Sequence, residues 1–515
     1  MADLHERRTS AGTGDTIATA AIIGAGFSGL GMAIRLRQAG IDDFIVFEQS
    51  DDIGGTWHDN TYPGVACDVP SHLYSYSFEP NAEWTRAYAP QREIHAYLHR
   101  CADKYALRPH IRLGTKVVRA VFDEEKGLWE VTDDGGDRYR VRALIAGMGP
   151  LSVPSYPDLP GLHEFEGTFF HTARWDHDTS LAGKRVGVIG TGASAIQVVP
   201  ALAERAAGIT VFQRSPPWIV PKPDRQITER ERERFRRFPF LMKLLRLRLY
   251  WRYEAFAPRI IWTHERLKRG AERMALDHIE QQVADPALRA RVTPDYRFGC
   301  KRVLFSDDWY PTLQRDDVML VDRAVERVTP TGVVTADGRA HDLDAIVSAT
   351  GFRVPLAGAP FEIRGLGGRL LDHEWREGAQ AYKGVNVSGF PNLFLLLGPN
   401  SNAAHTSILI CMEQQAAYIL RALRLMKRRR LKYLDVKAPA QARFNERLQR
   451  RLARTVWETG GCRNYYLAPN GRNTALYPGF NWEYGLRMRR LRTADYRLVA
   501  AGSASGSQTG MPDST

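Results

Sequence analysis

The feature that most constrains this chain is a glycine-rich turn that it uses twice. Gly24-Ala25-Gly26-Phe27-Ser28-Gly29 follows an apolar run over residues 17–23, and Gly190-Thr191-Gly192-Ala193-Ser194-Ala195 follows Arg185-Val186-Gly187-Val188-Ile189. Each turn is succeeded by a helical pattern and a second apolar run, 45–48 in the first case and 209–214 in the second. That is the βαβ unit: the glycines let backbone approach a pyrophosphate, and the helix N-terminus stabilises its charge. One such turn implies one nucleotide. Recurrence of the whole unit far along the chain implies a second nucleotide domain, not a short-period array. Two nucleotides held face to face are what hydride transfer needs.

The predicted fold class is therefore α/β, with two Rossmann-like dinucleotide-binding domains and a helical insertion. A chain of 515 residues is too long for one core. Residues 17–150 and 390–499 are assigned to a discontinuous first domain, 151–225 and 295–389 to the second, and 226–294 to the insertion. Residues 1–16 and 500–515 are expected to be a disordered lead and tail. Strand signals at 143–146 and 345–349 each end in a glycine turn, which marks them as crossings between domains. A further buried strand is expected over 392–397. The insertion is basic and aromatic, and Thr228 with Glu231 has the spacing of a capping box. It reads either as a cover over one edge of the nucleotide domain or as a membrane-surface helix that collects hydrophobic substrate.

Composition narrows the class. No apolar run reaches the ~18 residues of a membrane span, and the first residues lack a secretion h-region, so a cytoplasmic enzyme is expected. The five cysteines, Cys67, Cys101, Cys300, Cys411 and Cys462, are odd in number and scattered without a CxxC. This argues for a reducing compartment and against a disulfide framework, a metal site or a disulfide reductase. The net charge of +13 suits phosphate-bearing cofactors. No nucleic-acid module is present, so no nucleic-acid partner is expected.

The two units end differently. Glu48 closes the first and can accept hydrogen bonds from a ribose diol, while repelling a 2′-phosphate, so this site favours FAD or NAD. Arg214-Ser215 close the second and suit the extra phosphate of NADP. An irregular loop, Gly54-Gly55-Thr56-Trp57 through Tyr62-Pro63-Gly64 to Asp68, follows the second strand, where a cofactor ring is usually covered.

The chain resembles the class B flavoprotein monooxygenases and, within them, the type I Baeyer–Villiger monooxygenases. The family segment Phe-x-Gly-x-x-x-His-x-x-x-Trp-(Pro/Asp) is matched by Phe165, Gly167, His171, Trp175 and Asp176. A second family signature is matched by Gly54, Gly55, Trp57, Tyr62, Pro63, Gly64 and Asp68, and Lys301-Arg302 resembles a family pair ahead of the stretch Asp307-Asp308-Trp309-Tyr310. Cys462 to Tyr466, Tyr477-Pro478-Gly479 and Ala404 before His405 depart from the usual family wording, which bears on the substrate pocket.

The resemblance implies that NADPH reduces FAD, that reduced FAD traps dioxygen as a C4a-peroxide, and that this attacks a hydrophobic ketone to give an ester or lactone. Arg302 is the expected catalytic cation, with Asp68 as its partner. Gly24, Gly26, Phe27, Ser28, Gly29, Glu48, Thr56, Trp57, Asp68 and Tyr74 are expected around FAD. Gly190, Thr191, Gly192, Ala193, Ser194, Ala195, Gln197, Arg214, Ser215, Lys301 and Arg302 are expected around NADPH. Trp57, Tyr74 and the loop around Trp309 are expected to wall the site. His171 and Trp175 read as a linker, with His171 bonded to backbone, that couples domain movement to the site. Two rival readings stand beside this one: a flavin monooxygenase acting on nitrogen or sulfur, and a non-catalytic flavoprotein that binds a partner or a membrane.

Overall fold

The computed structural model describes residues 16–262, 265–354, 360–462, 464–468 and 470–502. The expected lead before residue 16 and all but the first residues of the expected tail lie outside them.

Strand β1 (Ile17–Ile23), helix α1 (Phe27–Gln38) and strand β2 (Phe44–Phe47) form the first βαβ unit. β1 and β2 pair in parallel with Ile23 level with Phe47, and the Gly24 amide donates to the Phe47 carbonyl at 2.7 Å. The strand therefore stops where the phosphate turn begins. Ala20, Ala21 and Ile22 are fully buried, as a parallel strand covered on both faces requires. Helix α2 (Thr56–Asp59), helix α3 (Gln91–Lys104) and strands β3 (Ile111–Arg112), β4 (Val117–Asp123), β5 (Leu128–Asp133) and β6 (Arg138–Ala146) follow. β6 lies parallel on the other side of β1, and β4, β5 and β6 form an antiparallel meander.

The second sheet contains β7 (Thr168–His171), β8 (Arg185–Ile189), β9 (Gly208–Phe212), β12 (Val318–Val321) and β16 (Ala345–Ser348), in the order β12-β9-β8-β16-β7. All pairs are parallel. Helix α4 (Ala195–Leu202) crosses from β8 to β9. Between β9 and β12 runs a short parallel pair, β10 (Ile219–Val220) with β11 (Leu304–Phe305). Strands β13 (Val325–Thr329), β14 (Gly332–Thr335) and β15 (Ala340–Asp342) make an antiparallel flap before β16.

The chain returns to the first domain earlier than expected. Strand β17 (Glu362–Arg364) pairs with β4, and Ile363, together with Leu371 and Trp375 of a following short helix, joins the core of the first sheet. β18 (Leu393–Leu395) then pairs with β6. The second pass of the first domain thus includes residues from about 361, not 390. The reason is physical: a three-residue edge strand with one inward apolar residue carries no readable period.

The insertion is helical as expected: α5 (Glu229–Arg237), α6 (Pro239–Ile261), α7 (Glu265–Gln282) and α8 (Pro286–Val292). Thr228 and Glu231 form the capping box, with the Glu231 amide donating to Thr228 Oγ1 and the Thr228 amide to Glu231 Oε2. The insertion is not confined to one edge of one domain. Ala257, Ile261, Ala271 and Ala275 join the core of the first domain, while Ile279, Val283, Leu288 and Val292 join that of the second. Among the described residues, no helix is long and apolar enough to cross a membrane.

Candidate active site

Both glycine turns open onto one cavity of about 1320 Å3, with Gly24 and Gly26 on one side and Gly190 and Gly192 on the other. The first turn is built for close approach. A Cβ on Gly29 would lie 1.8 Å from the Gly24 carbonyl oxygen, so only glycine lets α1 pack against the turn. Glu48 is buried at the end of β2. Its Oε2 accepts from the Ala25 amide at 2.7 Å and its Oε1 from the Ser50 amide at 3.0 Å, which fixes the carboxylate at the edge of the cavity. Trp57, on α2, donates from Nε1 to the Tyr74 hydroxyl at 3.1 Å. Tyr74 packs edge-on against Phe27, so Phe27, Trp57 and Tyr74 form one aromatic wall. Ser28 and Thr56 line the same side.

The segment around His405, which the sequence tied only to the substrate pocket, also carries polar groups at this cavity. His405 and Thr406 line the cavity just before helix α11 (Ile408–Arg429), whose number counts α9 (Trp309–Thr312) and α10 (Leu371–Trp375). Among the described residues, the buried atoms His405 Nδ1, Thr406 Oγ1 and Ser407 Oγ find no hydrogen-bond partner. Buried polar groups are normally paired, and the N-terminus of a long helix carries partial positive charge. A Thr406 hydroxyl without a partner and a polar His405 edge at such an end fit a ligand rich in hydrogen-bonding atoms, so His405 and Thr406, with Glu48 and the first turn, fit FAD. Ser407 ahead of an apolar helical pattern was the available signal.

The second turn is open where the first is closed. Gly190 has φ +112°, and a Cβ there would meet the Ala349 carbonyl at 2.6 Å, whereas a Cβ on Gly192 would meet nothing within 4 Å. Gly192 and Ala193 are exposed, and Thr191, Ser194 and Ala195 complete the turn into α4. Arg214 stands exposed just past β9. Thr191 Oγ1 donates to the Ser215 carbonyl at 3.1 Å, and Lys301 Nζ donates to Ser215 Oγ at 2.6 Å. Burial, and then the nearby Arg214 charge, hold the Lys301 pKa below its ordinary value. Two cations and a hydroxyl drawn together, their repulsion only partly offset by Asp295, fit the 2′-phosphate of NADPH. Gln197 lines the cavity, but its amide is already engaged across the domain boundary: Oε1 accepts from the Tyr62 hydroxyl at 2.9 Å and Nε2 donates to the Ala66 carbonyl at 3.0 Å.

Between the two floors Arg302 meets Asp68. Arg302 Nη2 and Nε donate to the same oxygen, Asp68 Oδ2, at 2.5 and 3.1 Å. Arg302 comes from the segment leading into β11, and Asp68 from the loop that follows α2, so the pair joins the two domains. The Asp68 charge pushes the Arg302 pKa up against the opposing effect of burial, with Tyr465 and Tyr466 adding to it. The guanidinium is set deep in the molecule, yet 46% of its side chain is open, because it faces the cavity. Tyr465 and Tyr466, in the segment that departs from family wording, also line the cavity.

Two expectations are corrected here. Trp309 is no wall: it is 1% exposed and belongs to the core of the second domain. Its position after the Lys301-Arg302 pair suggested proximity, but β11 carries the chain away from the cavity before α9 begins. The cysteines are also not all free. Cys300 and Cys462 form a disulfide across a separation of 162 residues, while Cys67, Cys101 and Cys411 are free and buried. Scatter in sequence says nothing of approach in space, and the fold sets Cys462 and Asn464 against the Arg302 loop, where Asn464 Nδ2 donates to the Cys300 carbonyl.

The His171 segment stands away from the cavity. None of Phe165, Gly167, His171, Trp175 and Asp176 lines it. His171 is fully buried at the end of β7, its Nδ1 accepts from the Ala173 amide at 3.0 Å, and burial lowers its pKa. Its ring lies between Tyr156 and Phe352. These two sit on the crossing segments, which pair with each other at Pro154 and Phe352. Trp175 packs edge-on against Phe170, and Asp176 accepts from Asp178 and Thr179. A Cβ on Gly167 would meet the Asp344 carbonyl and the Phe165 ring. The segment is a packed joint at the domain crossing.

The chain is similar to known proteins over nearly its whole length. Residues 18–252 match the flavin-binding monooxygenase-like family. It is 48% identical to a Baeyer-Villiger monooxygenase of Pseudomonas aeruginosa over 98% of this chain and 97% of that protein. It is 43% identical to one of Streptomyces coelicolor, over 94% and 93%. The crystal structure of cyclohexanone monooxygenase from Rhodococcus sp. Phi1 bound to NADP+ matches with TM-score 0.84 at 29% identity, over 95% of this chain and 100% of that one. The OTEMO complex with FAD and NADP matches with TM-score 0.84 at 31% identity, over 94% and 99%. With relatives this similar along the full length, the chain belongs to the Baeyer–Villiger monooxygenases.

Proposed function

We propose that the first glycine turn and Glu48 seat FAD, that the second turn with Arg214, Ser215 and Lys301 seats NADPH, and that Arg302 is the catalytic cation between them. The enzyme is an NADPH-dependent flavoprotein monooxygenase that inserts one atom of dioxygen beside a ketone carbonyl. The observation that carries the residue roles is the Arg302–Asp68 pair, formed across the domain boundary at the cavity that both turns share. When bound, FAD supplies the ring that accepts hydride and activates dioxygen. The chain supplies position, charge and dryness.

Each part follows from the residues. Arg302 keeps its charge because Asp68 and the cavity geometry favour the cation, and it can stabilise negative charge that develops on the substrate oxygen. Asp68 is a positioning residue: it holds the guanidinium with two hydrogen bonds and ties it to the first domain. Phe27, Trp57 and Tyr74 exclude water from one side. The joint around His171 sets how the domains swing about their crossing. A cytoplasmic location belongs to this reading, and the Cys300–Cys462 disulfide removes the cysteine argument for it. The test is NADPH consumption and oxygen uptake with a panel of ketones, amines and sulfides, with products identified. Esters or lactones from ketones support the reading. Oxygenation of amines or sulfides alone would favour the first rival, and flavin reduction without any oxygenated product the second.

Arg214→Ala is expected to raise KM for NADPH by roughly tenfold or more, since it removes a charge-assisted contact to phosphate, while leaving NADH nearly unaffected. Equal loss with both nucleotides would remove Arg214 from the 2′-phosphate site.

The substrate is a hydrophobic ketone, and the insertion suggests where it is met. Phe240, Leu244, Leu247 and Trp251 recur along one face of α6 and are 62%, 60%, 52% and 53% exposed. Lys243, Arg248 and Arg252 are exposed beside them. The opposite face is anchored: Arg246 Nη1 donates to the carbonyls of His72, Leu73 and Ser75. An apolar stripe flanked by cations fits the surface of an anionic bilayer. Co-sedimentation with anionic vesicles is expected at low salt, falling at high salt because each arginine contributes about 1 kcal/mol that salt screens. Absence of binding at low salt would leave the stripe without this role.

A further inference from the structure

Four metal-binding side chains that the oxygenation chemistry does not use meet behind the turn that covers the flavin site. Asp52 precedes the Gly54-Gly55 turn, His58 lies on α2, and His95 and His99 are one helical turn apart on α3. Donor atoms of Asp52, His58 and His95 all lie within 4.8 Å of one another. His99 Nε2 is 3.1 Å from Asp52 Oδ2 and 3.3 Å from His95 Nε2, and His95 Nε2 is 3.7 Å from Asp52 Oδ2. A tetrahedral ion with bonds of about 2.0–2.1 Å places its ligand atoms roughly 3.3 Å apart. The three edges bracket that value. The histidine pair has the i, i+4 spacing that puts two imidazoles on one helix face toward one ion.

We propose that Asp52, His58, His95 and His99 form a site for a divalent transition-metal ion of the zinc class. Three imidazoles and one carboxylate are a donor set that zinc accepts and magnesium does not. The four side chains are between 23% and 33% exposed, which leaves an ion a path from solvent. Without an ion the imidazoles share protons with neighbours: His95 Nε2 lies 2.8 Å from the Ile53 carbonyl, His99 Nδ1 lies 2.8 Å from Arg108 Nη2, and His58 Nε2 lies 3.2 Å from Asp51. Arg108 is 41% exposed and also paired with Asp103 at 2.8 Å, so it keeps a partner at the surface when it gives up His99 to the ion. The His95–His99 spacing is present in the sequence, but Asp52 and His58 come from a separate segment, so the cluster appears only in the fold.

The site has a mechanical consequence. A Cβ on Gly54 would lie 2.6 Å from the His95 ring, so the turn rests on the cluster. On its other side, Gly54 donates to the Ala25 carbonyl within the FAD fingerprint, and a Cβ on Gly26 would lie 3.5 Å from Gly55. An ion that joins α3 to this turn therefore braces the phosphate floor and slows loss of FAD on heating.

The experiment uses the FAD-loaded enzyme, stripped with chelator and then titrated with Zn2+, with Mg2+ as control. Metal content after gel filtration and the temperature of flavin release are both read. One zinc per chain is expected, with flavin release shifted upward and no effect of Mg2+. The double variant His95→Gln, His99→Gln is expected to retain its FAD absorbance and to bind zinc roughly tenfold or more weakly, with no shift. Zinc binding that is absent in the wild type, or equal in the double variant, overturns the site. Zinc that binds without moving flavin release overturns the bracing.

Discussion

Arg302→Ala is expected to yield a yellow, FAD-loaded protein that NADPH still reduces but that forms ester or lactone at a rate lower by about 10²–10³-fold, the usual cost of deleting one preorganised charge at a developing anion. The loss should appear in kcat more than in KM, since the charge acts when negative charge develops on the substrate. NADPH consumption should continue, diverted to hydrogen peroxide, so the ratio of ester formed to NADPH used separates this effect from poor cofactor binding. Arg302→Lys should recover only part of the ratio, because an ammonium cannot make both the Nε and Nη2 contacts to Asp68 Oδ2. Near-normal ester yield in Arg302→Ala would mean that another cation does this work.

Gly29→Ala should abolish FAD retention. The added methyl would sit 1.8 Å from the Gly24 carbonyl oxygen, which is backbone and cannot swing away. Either α1 moves outward or the turn opens, and both destroy the phosphate floor. The purified variant is expected to be colourless, with its second domain still folded by near-native circular dichroism. The contrasting change is Gly192→Ala, whose methyl meets nothing within 4 Å in the protein itself. It should keep FAD and stability while weakening NADPH, since the methyl occupies space reserved for the pyrophosphate. A full flavin complement in Gly29→Ala would contradict the packing argument.

These glycines also show what was legible in the sequence. The βαβ units could be read because their constraints are local: a buried strand, a turn that only glycine allows, and an acid or base a short way on. β1, α1, β2, β8, α4 and β9 all form where the pattern put them. Arg302 and Asp68 were found through resemblance, and their pairing depends on contacts between segments 234 residues apart. What escaped detection shares one physical cause. β17 is too short for a period, the Cys300–Cys462 pair and the burial of Trp309 depend on distant segments meeting, and the orphaned groups at the start of α11 become visible only when the cavity closes around them. The exposed stripe on α6 was ambiguous for the same reason: periodicity marks an apolar face but not whether anything covers it.

The central claim, that the cavity shared by the two glycine turns performs Baeyer–Villiger oxygenation, is tested most directly with isotopically labelled dioxygen. Purified enzyme, NADPH and a panel of hydrophobic ketones are incubated under 18O2, and products are read by mass spectrometry. One 18O atom is expected in the ring or ester oxygen of each product, with the carbonyl oxygen unlabelled and one NADPH consumed per product. Ester that carries no label, or NADPH oxidised with hydrogen peroxide as the sole product across the whole panel, would contradict the account.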